Sequence, residues 1–312
     1  MTPRIHLARA GYTGLFGDFV RTAEPHTEAD PAAVLLTLIG RFGAAVGTKP
    51  HMMVGMVRHP AREWVALVGP TADGRKGESW QVVDHVFAGV DQGQVASGLS
   101  SGEGLIWHVR DAGKGSDGKP DEGVADKRLL VKESELHRVF QAAKRQGNTL
   151  SSILRDAWDF GSLQTMPKKE PSRSTEPHIA IVAHCNAEEV VEGMRAIDAS
   201  NGFGNRFIWG AVRRSQELPV PPRFPDPERG RLRERLSHAI AAAKEIGEVR
   251  FSPDAEEKWR TEYSRLTLGG DGKVGGLLAR GAPHVLRIAM IYTLAAGSAT
   301  IEVKHLEAAL AV

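Results

Sequence analysis

The stretch ALVGPTADGRKGESW, residues Ala66 to Trp80, decides how the chain is read. A short apolar run, Ala66-Leu67-Val68, enters a loop of small residues and leaves it through Arg75-Lys76-Gly77-Glu78-Ser79. This is the outline of a strand feeding a phosphate-binding loop. Such loops converge bare backbone N–H groups, a helix N-terminus and a cation on one anion. The spacing departs from G-x-x-x-x-G-K-[ST]. Gly69 and Gly74 stand where the two glycines belong, but Arg75 follows, Lys76 comes one position late and the hydroxyl residue is Ser79. Two readings result. In the first the loop is altered but working: Gly69, Gly74 and Gly77 supply bare backbone, Lys76 or else Arg75 meets the β- and γ-phosphates, and Ser79 holds Mg²⁺. In the second it is a glycine-rich turn carrying two solvated cations.

The rest of the chain bounds the choice. At 312 residues, with 41% hydrophobic and 25% charged residues, it is an ordinary globular sequence of one large or two smaller domains. A net charge of +2 demands no nucleic-acid partner, so any basic surface is local. The single cysteine, Cys185, excludes an internal disulfide and a multi-cysteine metal site, and it fits a reducing compartment. The first residues, MTPRIHLARAGYTG, lack the apolar core of a secretory leader, and no apolar run is long enough to span a bilayer. The expected location is the cytoplasm, with no membrane partner.

Residues 1–26 read as irregular. HTEADPAAVLLTLIGRFGAAVG predicts a buried helix capped by Thr27, with Asp30 at the capping-box position and Pro31 in the first turn. HMMVGMVRHPAREWVALVG predicts two strands joined by a turn at His59-Pro60, the second being Trp64–Val68. A helix follows from Ser79. GLIWHVRD reads as a strand, and KRLLVKESEL as a short buried strand ending in acid. Helices follow over about 135–146 and 149–159. LQTMPKKEPSRSTEP is a polar loop or hairpin, HIAIVAHCN a buried strand, and NRFIWGAVRR a further strand after a helix. A proline-rich stretch at 215–229 reads as a linker, and the remainder as four helices. Strands alternating with helices predict an α/β fold with a parallel sheet flanked by helices. The expected organisation is an N-terminal segment over 1–50, a nucleotide-binding core over 51–214, the linker, and a helical lid-like region over 230–312. The chain stops inside VKHLEAALAV without a helix-stop signal, which suggests a truncated C-terminus.

Four further groups carry candidate chemistry. Glu133 and Glu135 end an apolar strand, where phosphoryl-transfer enzymes keep carboxylates for the metal shell and the attacking water. Equally, acids favour the first turn of a helix, and Lys132 is an awkward neighbour for a metal. His184 and Asn186 end a buried strand that would lie between the glycine loop and those acids, although Asn186 also suits a helix N-cap. Arg206 follows a glycine-rich turn and suits an arginine finger acting on a neighbouring subunit, or is an ordinary surface arginine. Arg287, alone on an apolar helix, either snorkels or points at an anion.

The order of these motifs resembles the AAA+ plan of P-loop NTPases, and in detail the minichromosome maintenance helicases. NRFI partly matches their SRFD finger at Arg206, a hairpin before the strand ending in His184 maps to residues 162–176, and VLRIAMIY places a sensor arginine at Arg287. The chain is still more similar to helicase-like proteins of phages and integrated elements of actinobacteria, a group often placed beside primases. PHTEADP, RKGESW, SSGEGLI, GNTLS, NGFGNRF and HLEAAL carry that likeness across nearly the whole chain. The resemblance implies an ATP-dependent DNA helicase or translocase of replication, working with Mg²⁺ as a homo-oligomeric, hexameric ring on single-stranded or forked DNA, with a primase as a possible companion. Lys168, Lys169 and Arg173 of the hairpin would then touch DNA. The alternative is a catalytically inactive nucleotide- or DNA-binding adaptor of a replication complex, which the altered loop and Lys132 favour.

Overall fold

The computed structural model describes residues 7–114, 119–159, 161–166, 172–196, 202–268 and 272–312. Five strands form one sheet. Numbered in chain order they are β1 (Trp64–Val68), β2 (Gln94–Ala96), β3 (Arg128–Glu133), β4 (His178–Cys185) and β5 (Ile208–Ala211). The spatial order is β5-β1-β4-β3-β2, and every pairing is parallel. Central β4 is buried along its whole length, as a parallel strand covered on both faces must be. It lies between the glycine-loop strand β1 and the acid-ended strand β3, as the sequence suggested.

Period-two alternation divides the sheet into two faces. Trp64, Ala66, Leu129, Val131, Ile179, Ile181 and Ala183 pack with helices α4 (Gly102–Trp107), α5 (Leu136–Ala143) and α6 (Leu150–Trp158). On the other face Val65, Leu67, Leu130, Ala180 and Val182 pack with α2 (Pro31–Val46). A Cβ at Gly40 of α2 would lie 2.9 Å from Val182 Cγ2, so this glycine lets the helix sit close on the sheet. Asp30 caps α2 by accepting from Ala32 N, while the Thr27 hydroxyl, expected as the cap, donates to Glu78 instead.

Three local expectations fail. His59-Pro60, expected as a turn, ends the strand Val57–Pro60, which pairs antiparallel with His51–Val54. Residues 14–23 form helix α1, because Leu15, Phe16, Phe19, Val20 and Ala23 share one helical face that two glycines obscured. Residues 102–107 form α4 rather than a strand, since Ser101 accepts from Gly104 N and starts a helix. In the C-terminal region α8 (Asp226–Glu245), α11 (Gly281–Ala295) and α12 (Val303–Ala311) share one apolar core with α1, α2 and α3 (Lys76–Phe87). The expected lid-like helices therefore cover the sheet's own flanking layer. α9 (Pro253–Thr267) and α10 (Gly272–Leu278) lie between α8 and α11 in the chain. No helix of the described residues is long and apolar enough to cross a membrane.

Candidate functional site

After β1 the chain enters α3, which packs beside α2 and α8. After β4 it enters α7 (Ala187–Ala196), which packs against α5 on the opposite face. The two helices part at the carboxyl ends of adjacent parallel strands. That parting opens the crevice where open α/β sheets bind ligands. A cleft of about 630 Å³ occupies it, within the range of small-molecule sites. Its walls include Thr71, Ala72, Arg75, Lys76, Gly77, Lys132, Ser134, His184, Asn186 and the acids Glu78, Glu135 and Glu189.

The loop from Gly69 to Arg75 is fixed by backbone constraints. A Cβ at Gly69 would meet Val212 O at 2.3 Å, and one at Gly74 would meet Pro70 O at 2.7 Å. Ala72 and Arg75 hold left-handed φ of 60° and 44°, conformations non-glycine residues adopt at a cost of about 1 kcal/mol or more. This turn aims the first N–H groups of α3 at the cleft. Those of Glu78 and Ser79 donate to Arg75 O, while those of Lys76 and Gly77 have no acceptor among the described residues.

Lys76 Nζ donates to Gly69 O at 2.6 Å and Pro70 O at 3.0 Å, and burial lowers its ammonium from the ordinary value. Lys132 Nζ donates to Ser134 Oγ. Neither lysine reaches a carboxylate of the described residues at ion-pair distance, and the acid that acts on Lys76, Glu189, does so at longer range. Arg75 is different, because Glu28 Oε2 binds it at 2.6 Å. His184 is 3% exposed, and burial, followed by Lys132 and Lys76, pushes its pKa down to about 3. The ring is therefore neutral, and its buried Nε2 has no hydrogen-bond partner. Asn186 both lines the cleft and caps α7, its Oδ1 accepting from Glu189 N at 2.8 Å while Glu189 Oε2 accepts from Asn186 N. Glu135 lines the cleft and pairs with Arg138 at 2.6 Å.

Several expected site residues lie elsewhere. Glu133 shares the parity of Leu129 and Val131, so it faces away from the α2 side. There it accepts from Gly98 N and Leu99 N at 2.6 and 2.7 Å, which makes it an anchor for the β2–α4 loop and not a metal ligand of the cleft. Lys132, of opposite parity, takes the cleft position instead. Ser79 is buried with its Oγ donating to Lys76 O at 2.7 Å, so it also is no metal ligand there.

Arg206 precedes β5, and a parallel strand must be entered at the end remote from the cleft. It is buried, with Nη2 on Asp159 Oδ2 and Nη1 on Gly202 O, both at 2.5 Å. A guanidinium so engaged is not presented to a neighbouring subunit. Arg287 lies at the same remote end, 3.6 Å over the Trp158 ring and donating to Trp158 O at 3.0 Å. It senses no ligand in the cleft. The predicted hairpin exists as Leu163–Gln164 paired with Arg173–Ser174, ahead of β4 and thus also remote from the cleft. Arg173 is exposed and 3.9 Å from Asp111, while Lys168 and Lys169 lie outside the described residues.

Ser134 and Glu189 were missed by motif matching, and the alternation of β3 together with the capping position of α7 could have found them. A scan against models of protein families and a search of curated proteins return no match.

Proposed function

We propose that this cleft binds the phosphates of a nucleotide, ATP in the first instance, and that the chain is a P-loop-type nucleotide-binding protein of AAA+-like plan. One observation carries the reading. Two lysines whose ammoniums rest only on neutral oxygens face a cleft of nucleotide size, at the N-terminus of a helix that follows a parallel strand. The position of β4 between the loop strand and β3, with His184 and Asn186 at its end, adds support.

The helicase or translocase activity that the resemblance implies, and its Mg²⁺, hexameric-ring and primase corollaries, belong to the same proposal at a further remove. Specific observations favour the adaptor form of it, in which nucleotide or DNA is bound without rapid turnover. Glu133, Ser79, Arg206 and Arg287 are each committed to internal hydrogen bonds. Glu135 is the cleft carboxylate best placed on an exposed helix start to orient a water, should turnover occur. Isothermal titration with ATP tests the binding, and Lys76→Ala is expected to abolish it while leaving the fold intact. ATP turnover with and without single-stranded DNA separates the two forms. DNA-stimulated hydrolysis supports the helicase, and binding without turnover supports the adaptor.

A further inference from the structure

We propose that the cleft holds a polyphosphate without a divalent cation, Lys132 supplying the positive charge that bound Mg²⁺ would otherwise bring. The proposal rests on the nucleotide-binding reading and goes beyond it in assigning the counter-charge.

The donor set does not fit the metal. In a phosphate loop the hydroxyl that meets Mg²⁺ comes directly after the lysine. Here that position is Gly77, and Ser79 is turned inward against Lys76 O and Thr37 Oγ1. The strand-end acid, Glu133, faces the other side of the sheet, where its Oε1 accepts from two backbone N–H groups. The carboxylates that do line the cleft are also engaged. Glu78 accepts from Thr27 Oγ1 and Glu28 N, Glu189 from Asn186 N, and Glu135 pairs with Arg138.

The charge that is present suits an anion directly. Lys76 and Lys132 approach from neighbouring walls, one at the helix start and one on β3, and a metal placed between them would meet two like charges. His184 lies within electrostatic range of both lysines and stays neutral, so it adds no repulsion to that of the two ammoniums. Moving Lys76 Nζ from the Gly69 and Pro70 carbonyls to a phosphate oxygen exchanges neutral acceptors for an anionic one, so that both partners of the bond are charged.

Calorimetric titration of the full chain with ATP and with tripolyphosphate tests this, in EDTA and again in excess Mg²⁺. The parent is expected to bind both ligands in EDTA at least as tightly as in Mg²⁺. Lys132→Ala is expected to lose about tenfold or more in EDTA, the effect of one lost charge-assisted contact of about 1.4 kcal/mol or more, and Lys132→Arg to retain most of the affinity. Thermal midpoints equal to the parent's show that both variants are folded. Binding that appears only with Mg²⁺ overturns the proposal and leaves the nucleotide reading standing. Undiminished binding by Lys132→Ala in EDTA also overturns it. Absence of binding in either condition overturns the nucleotide reading itself.

Discussion

Arg206→Ala separates an interior arginine from a finger, because the two roles predict losses in different quantities. The side chain is 6% exposed, and its partner Asp159 is 45% exposed. Truncation removes the hydrogen bond to Gly202 O, worth about 1 kcal/mol. It also removes an ion pair at 2.5 Å that is half open to water and is discounted to about 1 kcal/mol. Loss of the buried aliphatic stem adds about 1 kcal/mol more. Asp159 keeps Arg280 at 3.0 Å, so no carboxylate is stranded and the total stays near 3 kcal/mol. Urea unfolding followed by tryptophan fluorescence reads this directly, since Trp158 lies 5.8 Å from the guanidinium. A double-mutant cycle with Asp159→Ala is expected to return a coupling of about 1 kcal/mol. The reasoning is refuted if Arg206→Ala unfolds like the parent while ATP turnover is lost and then recovered on mixing with Lys76→Ala. That outcome requires a guanidinium free to act on a neighbouring subunit.

Other consequences follow from the same geometry. Glu133→Ala takes the acceptor from the N–H groups of exposed Gly98 and half-buried Leu99, which water can partly replace, and is expected to cost about 1–3 kcal/mol in chemical denaturation; unchanged stability with abolished turnover would return Glu133 to a catalytic role. His178 and His184 are buried and neutral, each with its pKa depressed by burial to about 3. Since the unfolded chain takes up their protons below about pH 6.5, stability is full above that pH and falls by up to about 1.4 kcal/mol per unit for each as pH drops toward 3. His184→Gln should flatten that slope, and an unchanged slope would count against it. Ala72→Gly relieves a left-handed residue on an exposed loop and is expected to raise the thermal midpoint slightly, by up to about 1 kcal/mol of stability. If the hairpin contacts single-stranded DNA, removing Lys168, Lys169 and Arg173 together should reduce the salt slope of binding by about 2, at roughly 0.7 per phosphate contact; an unaltered slope would exclude that surface.

The parts of the fold written in local pattern were legible from sequence. β1, β3 and β4 are apolar runs that a doubly covered sheet requires, and α8 repeats its apolar residues at helical spacing, at Leu232, Leu236, Ala239, Ile240 and Ala243. β2, three residues at the sheet edge, carries too little pattern to be seen. The cleft was legible in outline to the extent that Lys76, His184 and Asn186, singled out on separate strand ends, line one cleft. Motif order misled for Glu133 and Arg206. The parity of Glu133 with Leu129 and Val131 sends it to the far face, and the strand entry at Ile208 sends Arg206 to the far end. Alternation was available to correct the first. The burial of Arg206 against Asp159 depends on chain segments 47 residues apart and has no local signature.

A structure of the chain with a non-hydrolysable ATP analogue measures the central claim most directly. The triphosphate is expected over the N-terminus of α3, with phosphate oxygens about 3 Å from Lys76 Nζ and from the N–H groups of Lys76 and Gly77. An analogue bound away from the β1–β4 crevice, or held by Arg75 while Lys76 remains on Gly69 O, would contradict it.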